Sequence, residues 1–224
     1  MLAKGPKMQT DIDEWRSVAA GAQPGWEFRA GIIAKLIRAT DTVLDIGAGD
    51  QKLKKFISPA CTYVPVDCVD DLPGTFVVDF NKEFRLPNVP FNVVVCAGSL
   101  EYINDLAGFF RALAAHAPDR QVIFTYFLNP EKWRRAGMKV HNNFATGDAL
   151  LSHINFALSH VDIVATRGDT IFVSATLSAG GGVQWINDRP ITDFLFAERG
   201  IKKFIAKTAR SVRKRRNAIG RMLK

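Results

Sequence analysis

Strand-like and helix-like segments alternate along the chain, and this alternation constrains its fold more than any other feature. TVLDI (42–46), TYVPVD (62–67), TFVVDF (75–80), FNVVVCAG (91–98) and RQVIFTYF (120–127) read as strands. FNVVVCAG is an uninterrupted apolar run, which predicts a strand buried on both faces. Helical spacing marks WEFRAGIIAKLIR (26–38), a short DQKLKKFI (50–57), LAGFFRALAAH (106–116) and GDALLSHINFAL (147–158). Pro118 ends the third of these, and Leu150, Leu151, Ile154 and Leu158 share one face of the fourth. VDIVATRGDTIFVSATL (161–177) reads as a closing hairpin that turns at Arg167-Gly168-Asp169. The order predicts an α/β fold: a doubly wound, mostly parallel, seven-stranded sheet with a C-terminal antiparallel hairpin at or near its edge.

The expected organisation is an N-terminal segment (1–24), a sheet domain (25–178), a linker (179–198) and a C-terminal extension (199–224). The linker opens with Ala179-Gly180-Gly181-Gly182. No run of about 18 uncharged apolar residues is present, so no membrane span is expected. The N-terminus lacks the apolar stretch of a signal peptide. Cys61, Cys68 and Cys96 fit neither a disulfide framework nor a paired metal site, so a reducing, cytoplasmic location and no metal are expected. Eleven Lys/Arg and no acid fall between Arg199 and Lys224, so the formal charge of +8 leaves residues 1–198 at −3.

The turn after the first strand, DIGAGDQKL, carries the chemistry. A strand feeding a glycine turn and then a helix offers backbone N–H groups to a ligand. Gly47 and Gly49 allow backbone conformations and close approaches that a side chain would prevent. Taken alone, the turn would suit NAD, S-adenosylmethionine or a bare connection. Asp67 ends the second strand 20 residues after Gly47, the spacing of an acid that accepts hydrogen bonds from a ribose diol. A dinucleotide loop needs its last glycine at position 52, where this chain has Lys52, so NAD fits less well.

With these residues in place, the sequence resembles the class I S-adenosylmethionine-dependent methyltransferases over roughly residues 25–178, and its fold is then expected to be Rossmann-like. VLDIGAGD resembles their first motif, YVPVDC their second-strand acid, VVDF their adenine-side segment and FNVVVCAGSLEYI their fourth-strand motif. The resemblance implies that Asp45, Gly47 and Gly49 face the amino-acid end of the cofactor and that Asp67 holds the ribose. It implies further that Cys68 lies beside the adenine, that Asp79 takes its exocyclic amine, and that Phe80 packs on the ring. Cys96 and Ala97 would line the floor near the sulfonium. Gln51 stands where the family commonly has a third glycine.

On the acceptor side, the resemblance points to Glu101 and Tyr102, just beyond the fourth strand. His141, in the long loop 128–145, is the candidate general base because its pKa lies near neutrality. His116, His153 and His160 read as structural. CAGSLEYI lacks the Asn/Asp-Pro-Pro-aromatic motif of base-amine methylating enzymes and resembles the branch acting on small molecules, glycans and lipids. Lys132, Arg134, Arg135 and Lys139 in the loop would suit an anionic acceptor group or a solvated surface.

Residues 199–224 place Ile201, Phe204, Ile205, Val212, Ile219 and Leu223 along one stripe of a helical wheel, with most basic residues elsewhere. That pattern suits attachment to an anionic lipid surface at the inner face of the membrane. RNA phosphates, packing on the domain and disorder until a partner arrives are its rivals. The expected activity is therefore methyl transfer to a small-molecule, sugar/glycan or lipid-linked acceptor. The alternatives are an RNA methyltransferase gripping phosphates with its tail, and an inactive cofactor-binding assembly protein. The sequence gives no oligomeric state.

Overall fold

A computed structural model describes residues 9–20, 24–129, 131–132, 140–142 and 144–180. Its frame is one seven-stranded sheet: β1 (Thr42–Ile46), β2 (Thr62–Asp67), β3 (Phe76–Val77), β4 (Val93–Ala97), β5 (Gln121–Phe127), β6 (Leu158–Arg167) and β7 (Thr170–Leu177). The strands lie in the order β3-β2-β1-β4-β5-β7-β6. The first five pair in parallel, while β7 runs antiparallel to both β5 and β6. The chain reverses its direction of travel across the sheet between β1 and β4. In a doubly wound sheet a crevice opens at such a switch, outside the carboxyl ends of the strands.

Alternation along each strand divides the apolar residues between two faces. Leu44, Ile46, Val94, Cys96, Phe124 and Tyr126 pack into one core cluster with the helices α3 (Leu106–His116) and α4 (Gly147–Ile154). Val43, Val93, Val95 and Ile123 form the other, covered by Ala30 and Ile33 of α2 (Pro24–Ile33). The cores explain why β1 and β4 are almost wholly apolar: neither has a solvent face. Asp105 caps α3 by accepting from Gly108 N–H, and Thr146 caps α4 by accepting from Ala149 N–H. Such caps typically contribute about 1 kcal/mol each.

Several elements depart from the sequence expectation. DQKLKKFI forms only a 3₁₀ turn over Lys52–Lys55, because Gln51 takes a left-handed conformation (φ 56°, ψ 34°) that a helix beginning at residue 50 would exclude. β3 stops at Val77, since Asp79 turns the chain: its carbonyl accepts from Lys82 and Glu83 N–H. α4 ends at Ile154 and passes through a 3₁₀ turn at Asn155–Ala157, so Leu158 joins β6 rather than the helix. β6 is consequently longer than expected, with a register shift between Ser159 and Asp162 where His160 has φ 48°. A further helix, α1 (Ile12–Ala20), lies within the N-terminal segment. Asp11 starts it by accepting from Glu14 N–H at 3.0 Å. The acid three residues after a capping acid was the available sequence signal.

Among the described residues no helix is long and apolar enough to cross a membrane. Nearly all of the expected linker (179–198) and the whole extension (199–224) lie outside the described residues.

Candidate active site

An open cleft lies over the carboxyl ends of β1, β2 and β4. Its floor is the β1 turn. Gly47 N–H and Ala48 N–H both donate to Val66 O, at 2.8 and 3.1 Å, which ties the turn to the neighbouring strand. Gly47 has φ +74°, and a Cβ there would stand 2.4 Å from the Ser99 side chain. Glycine is therefore required on both conformational and steric grounds. Gln51 itself takes a left-handed conformation, and its amide donates to Thr75 Oγ1 at 3.3 Å.

Three carboxylates follow one another along one wall. Asp45 is 3% exposed and accepts from the Tyr63 hydroxyl at 2.6 Å. Its Oδ1 is buried without a hydrogen-bond partner. Burial, first of all, pushes its pKa up to about 7; Asp67 adds to the rise, while the Tyr63 hydrogen bond and the Arg29 charge oppose it. Asp67 is held by backbone: Oδ2 accepts from Gly49 N–H at 2.8 Å, and Oδ1 from Cys68 N–H at 2.7 Å and Val69 N–H at 3.3 Å. One carboxylate thus organises both loops bordering the cleft. Asp79 Oδ1 accepts from Thr10 Oγ1 and Asn81 N–H, at 2.9 and 3.0 Å. Asp79 Oδ2 is buried without a hydrogen bond; the Lys82 ammonium, 60% exposed, stands 3.4 Å away.

Asp45, Gly47, Gly49, Asp67, Cys68, Asp79, Phe80 and Ala97 all border the cleft. Burial pushes the Cys68 thiol up to about 12, so it remains a neutral, compact wall. Phe80 is backed by Phe84 and Phe109. Cys96 is a correction. Strand alternation turns its side chain into the core, fully buried beside Ile46 and Phe124, and Ala97 alone of that pair reaches the cleft.

The acceptor-side candidates divide. Tyr102 borders the cleft, with Trp15 of α1 edge-on to its ring at 4.4 Å. Burial raises its pKa, so its hydroxyl stays protonated and is suited to donating rather than to acting as a base. Glu101 turns away from the cleft. Its Oε1 accepts from Phe127 N–H at 2.8 Å, and its backbone carbonyl accepts from His141 and Asn142 N–H. Asn142 in turn donates to Leu100 O and Ile103 O and accepts from the Tyr126 hydroxyl. Glu101 is therefore a latch joining the end of β5 to the loop that carries His141. His141 lies behind the cleft wall, with Nδ1 3.4 Å from Asn81 Nδ2. That amide has two hydrogens and two closer acceptors, Tyr102 O at 2.8 Å and Thr10 Oγ1 at 3.0 Å, so Nδ1 keeps its lone pair. Burial lowers the His141 pKa and favours the neutral ring.

Sequence reasoning missed Arg29, which projects from α2 into the cleft. Its guanidinium lies against Gly98, where a Cβ would stand 2.3 Å from Nη1. Burial lowers its pKa, and the charges of Glu101 and Asp45 partly restore it. No local signal separates this arginine from a solvated one; only the sheet brings it to the two buried acids. Trp26, one turn earlier, was missed for the same reason and stacks under the Lys52 ammonium, 5.2 Å from its centroid.

These groups suit a zwitterionic nucleoside. A cation and a carboxylate oxygen without a hydrogen bond share one end of the cleft, a backbone-held acid sits in the middle, and a second carboxylate oxygen without a hydrogen bond lies beside an aromatic ring. Among the described residues, no cluster of three metal-ligating side chains occurs.

A family model described as a methyltransferase domain matches residues 22–159. Among solved structures, the chain is similar to the N-methyltransferase NodS from Bradyrhizobium japonicum WM9 in complex with S-adenosyl-L-homocysteine. That match has 12% identity and a TM-score of 0.54, covering 75% of this chain and 97% of the other. It is similar also to human N-acetylserotonin methyltransferase in complex with S-adenosylmethionine, at 11% identity and a TM-score of 0.56, covering 75% of this chain and 57% of the other. At such identities the likeness is one of fold. No curated protein matches the chain.

Proposed function

The chain belongs to the methyltransferase-domain family, and on that premise we propose that it transfers a methyl group from S-adenosylmethionine to a small-molecule, glycan or lipid-linked acceptor. The observation that carries the cofactor's placement is the pair of buried carboxylate oxygens, Asp45 Oδ1 and Asp79 Oδ2. Both belong to residues bordering one cleft and both lack hydrogen-bond partners. Leaving such atoms unpaired costs about 1–3 kcal/mol each, which donors on a bound ligand would recover.

In this reading Asp45 and Arg29 hold the charged amino-acid end, Asp67 the ribose, and Asp79 with Phe80 the adenine. The sulfonium supplies an electrophilic methyl group to an in-line nucleophile. The chain's part is alignment and the exclusion of water, which convert an encounter into a near-attack arrangement. Tyr102 borders the cleft as a donor, and His141 stands behind Asn81 and Tyr102, outside the residues that line the cleft. The protein therefore acts chiefly by positioning.

The test has two parts. Calorimetric titration with S-adenosylhomocysteine should give a single site, lost in Asp79→Ala. Radiolabelled methyl transfer to lipid, carbohydrate and RNA fractions then identifies the acceptor class; label in RNA alone would overturn the small-molecule, glycan or lipid reading. For residues 199–224, the charge pattern supports attachment to anionic lipid at the inner face of the membrane in a cytoplasmic protein. Co-sedimentation with phosphatidylserine vesicles checks it: equal binding by the full chain and a 1–198 truncation would exclude the role.

A further inference from the structure

The region bordering the cleft begins before the residues matched by the family model. Thr10 and Trp15, ahead of and within α1, both face the cleft, whereas the match starts at residue 22. Thr10 is only 9% exposed. Its hydroxyl accepts from Asn81 Nδ2 at 3.0 Å and donates to Asp79 Oδ1 at 2.9 Å. The donor roles settle the direction, since an amide nitrogen can only give and a carboxylate can only receive. Asn81 N–H donates to the same Oδ1 at 3.0 Å, and the Asn81 side-chain oxygen accepts from Asn104 N–H at 2.7 Å. Oδ1 is thus saturated by two donors from the protein. Oδ2, which has no hydrogen bond and faces only the exposed Lys82 ammonium at 3.4 Å, is the oxygen left for a ligand.

α1 is in turn fixed from outside. Arg16 reaches Asp70 at 3.2 Å and Asp71 at 3.3 Å, in the loop that follows Asp67, and Trp15 packs against Tyr102. The helix bridges the loop after Asp67 and the turn that carries Tyr102, and Thr10 just ahead of it reaches Asp79.

We propose that Thr10 is a positioning residue that orients Asp79 to read the exocyclic amine of the cofactor's purine, so that the segment preceding the matched domain sets the base specificity of the site. The inference rests on the cofactor reading above. Holding Oδ1 with protein donors fixes the carboxylate rotamer and directs Oδ2 at the ligand edge. A purine with an amine there gains a charge-assisted hydrogen bond, whereas a purine with a carbonyl meets a like partial charge.

The experiment compares affinity for S-adenosylhomocysteine with that for its deaminated analogue, S-inosylhomocysteine, in the full chain. The unaltered protein should prefer the amine by at least about tenfold. Thr10→Val should weaken the amine ligand about tenfold and leave the carbonyl ligand unchanged, narrowing the ratio, while Thr10→Ser restores it. Arg16→Ala, which releases α1 without touching the cleft, should narrow the ratio by about two- to threefold. Thermal unfolding of each variant reports folding separately. If Thr10→Val and Arg16→Ala leave the ratio intact, or lower both affinities equally, Thr10 does not position Asp79. If the unaltered protein binds neither ligand, or Asp79→Asn also leaves the ratio unchanged, the cofactor reading fails instead. If Asp79→Asn collapses the ratio and the Thr10 variant does not, this inference alone is wrong.

Discussion

The two sides of the cleft are built on different principles. The cofactor side is assembled near strand ends, where Asp45 is the last residue but one of β1, Asp67 closes β2 and the sheet itself fixes their separation. The acceptor side is assembled from connections: a 3₁₀ turn at Leu100–Tyr102 and a loop held to it by Glu101 and Asn142. Strand ends present side chains on a rigid frame, so residue type and spacing predict their direction. A loop residue points wherever its hydrogen bonds take it. Glu101 and Asp45 are both buried acids, yet only Asp45 reaches the cleft.

That contrast is open to attack in four places. The largest effect belongs to Gly47→Ala, which drives a Cβ into Ser99 at a left-handed position. Affinity for S-adenosylhomocysteine should fall more than about a hundredfold, from strain and clash of some 2–4 kcal/mol. Calorimetry measures it, and near-normal binding would mean that the turn is not the floor of the site.

Glu101→Ala should come next, lowering unfolding stability by about 2 kcal/mol because Phe127 N–H loses its acceptor. Glu101→Gln keeps an acceptor and should retain both stability and turnover. An acid working on the substrate would make glutamine as damaging as alanine, so this pair of variants separates a latch from a catalyst.

Asp45 supplies the third test, in pH. Its folded pKa, about 7, lies above the ordinary carboxylate value, so between those two values the folded state holds a proton that the unfolded chain releases. Asp45 therefore lowers stability as pH rises through that window, and above it the full destabilisation remains. A cationic ligand favours the ionised acid, so affinity should rise about tenfold between roughly pH 6 and pH 8. Asp45→Asn should flatten both profiles.

The smallest effect belongs to Gln51→Gly. Relief of a left-handed glutamine worth about 1 kcal/mol offsets loss of the long Thr75 contact, so cofactor affinity should stay within about twofold. A collapse of binding would give the glutamine a role of its own.

The same division governed what could be read in advance. β1, β2 and α3 have the bounds that their patterns predict, because burial on one or both faces writes itself into residue type. Asp67 was visible as the acid that ends β2, and Asp79 as the acid of the VVDF segment. Arg29, Thr10 and Asn81 were not, since each acquires its role only when distant segments meet: Thr10 and Asp79 are 69 residues apart. Cys96 was misplaced by a single step of strand alternation, which the run VVVCA conceals by being apolar on both faces. Glu101 was read as facing the acceptor because sequence shows a residue's place after a strand but not the backbone N–H that captures its side chain.

The clasp between α1 and the body has a consequence of another kind. Its ion pairs, Arg16 with Asp70 and Asp71, lie at the surface, where dissolved salt screens charges over about 10 Å at 0.1 M. The buried contacts deeper in the cleft are sheltered from that screening. Ionic strength thus acts on the rim and spares the floor: raising it should speed the exchange of bound nucleoside while changing the fold's melting temperature little, so the surrounding medium sets how long the protein keeps its ligand.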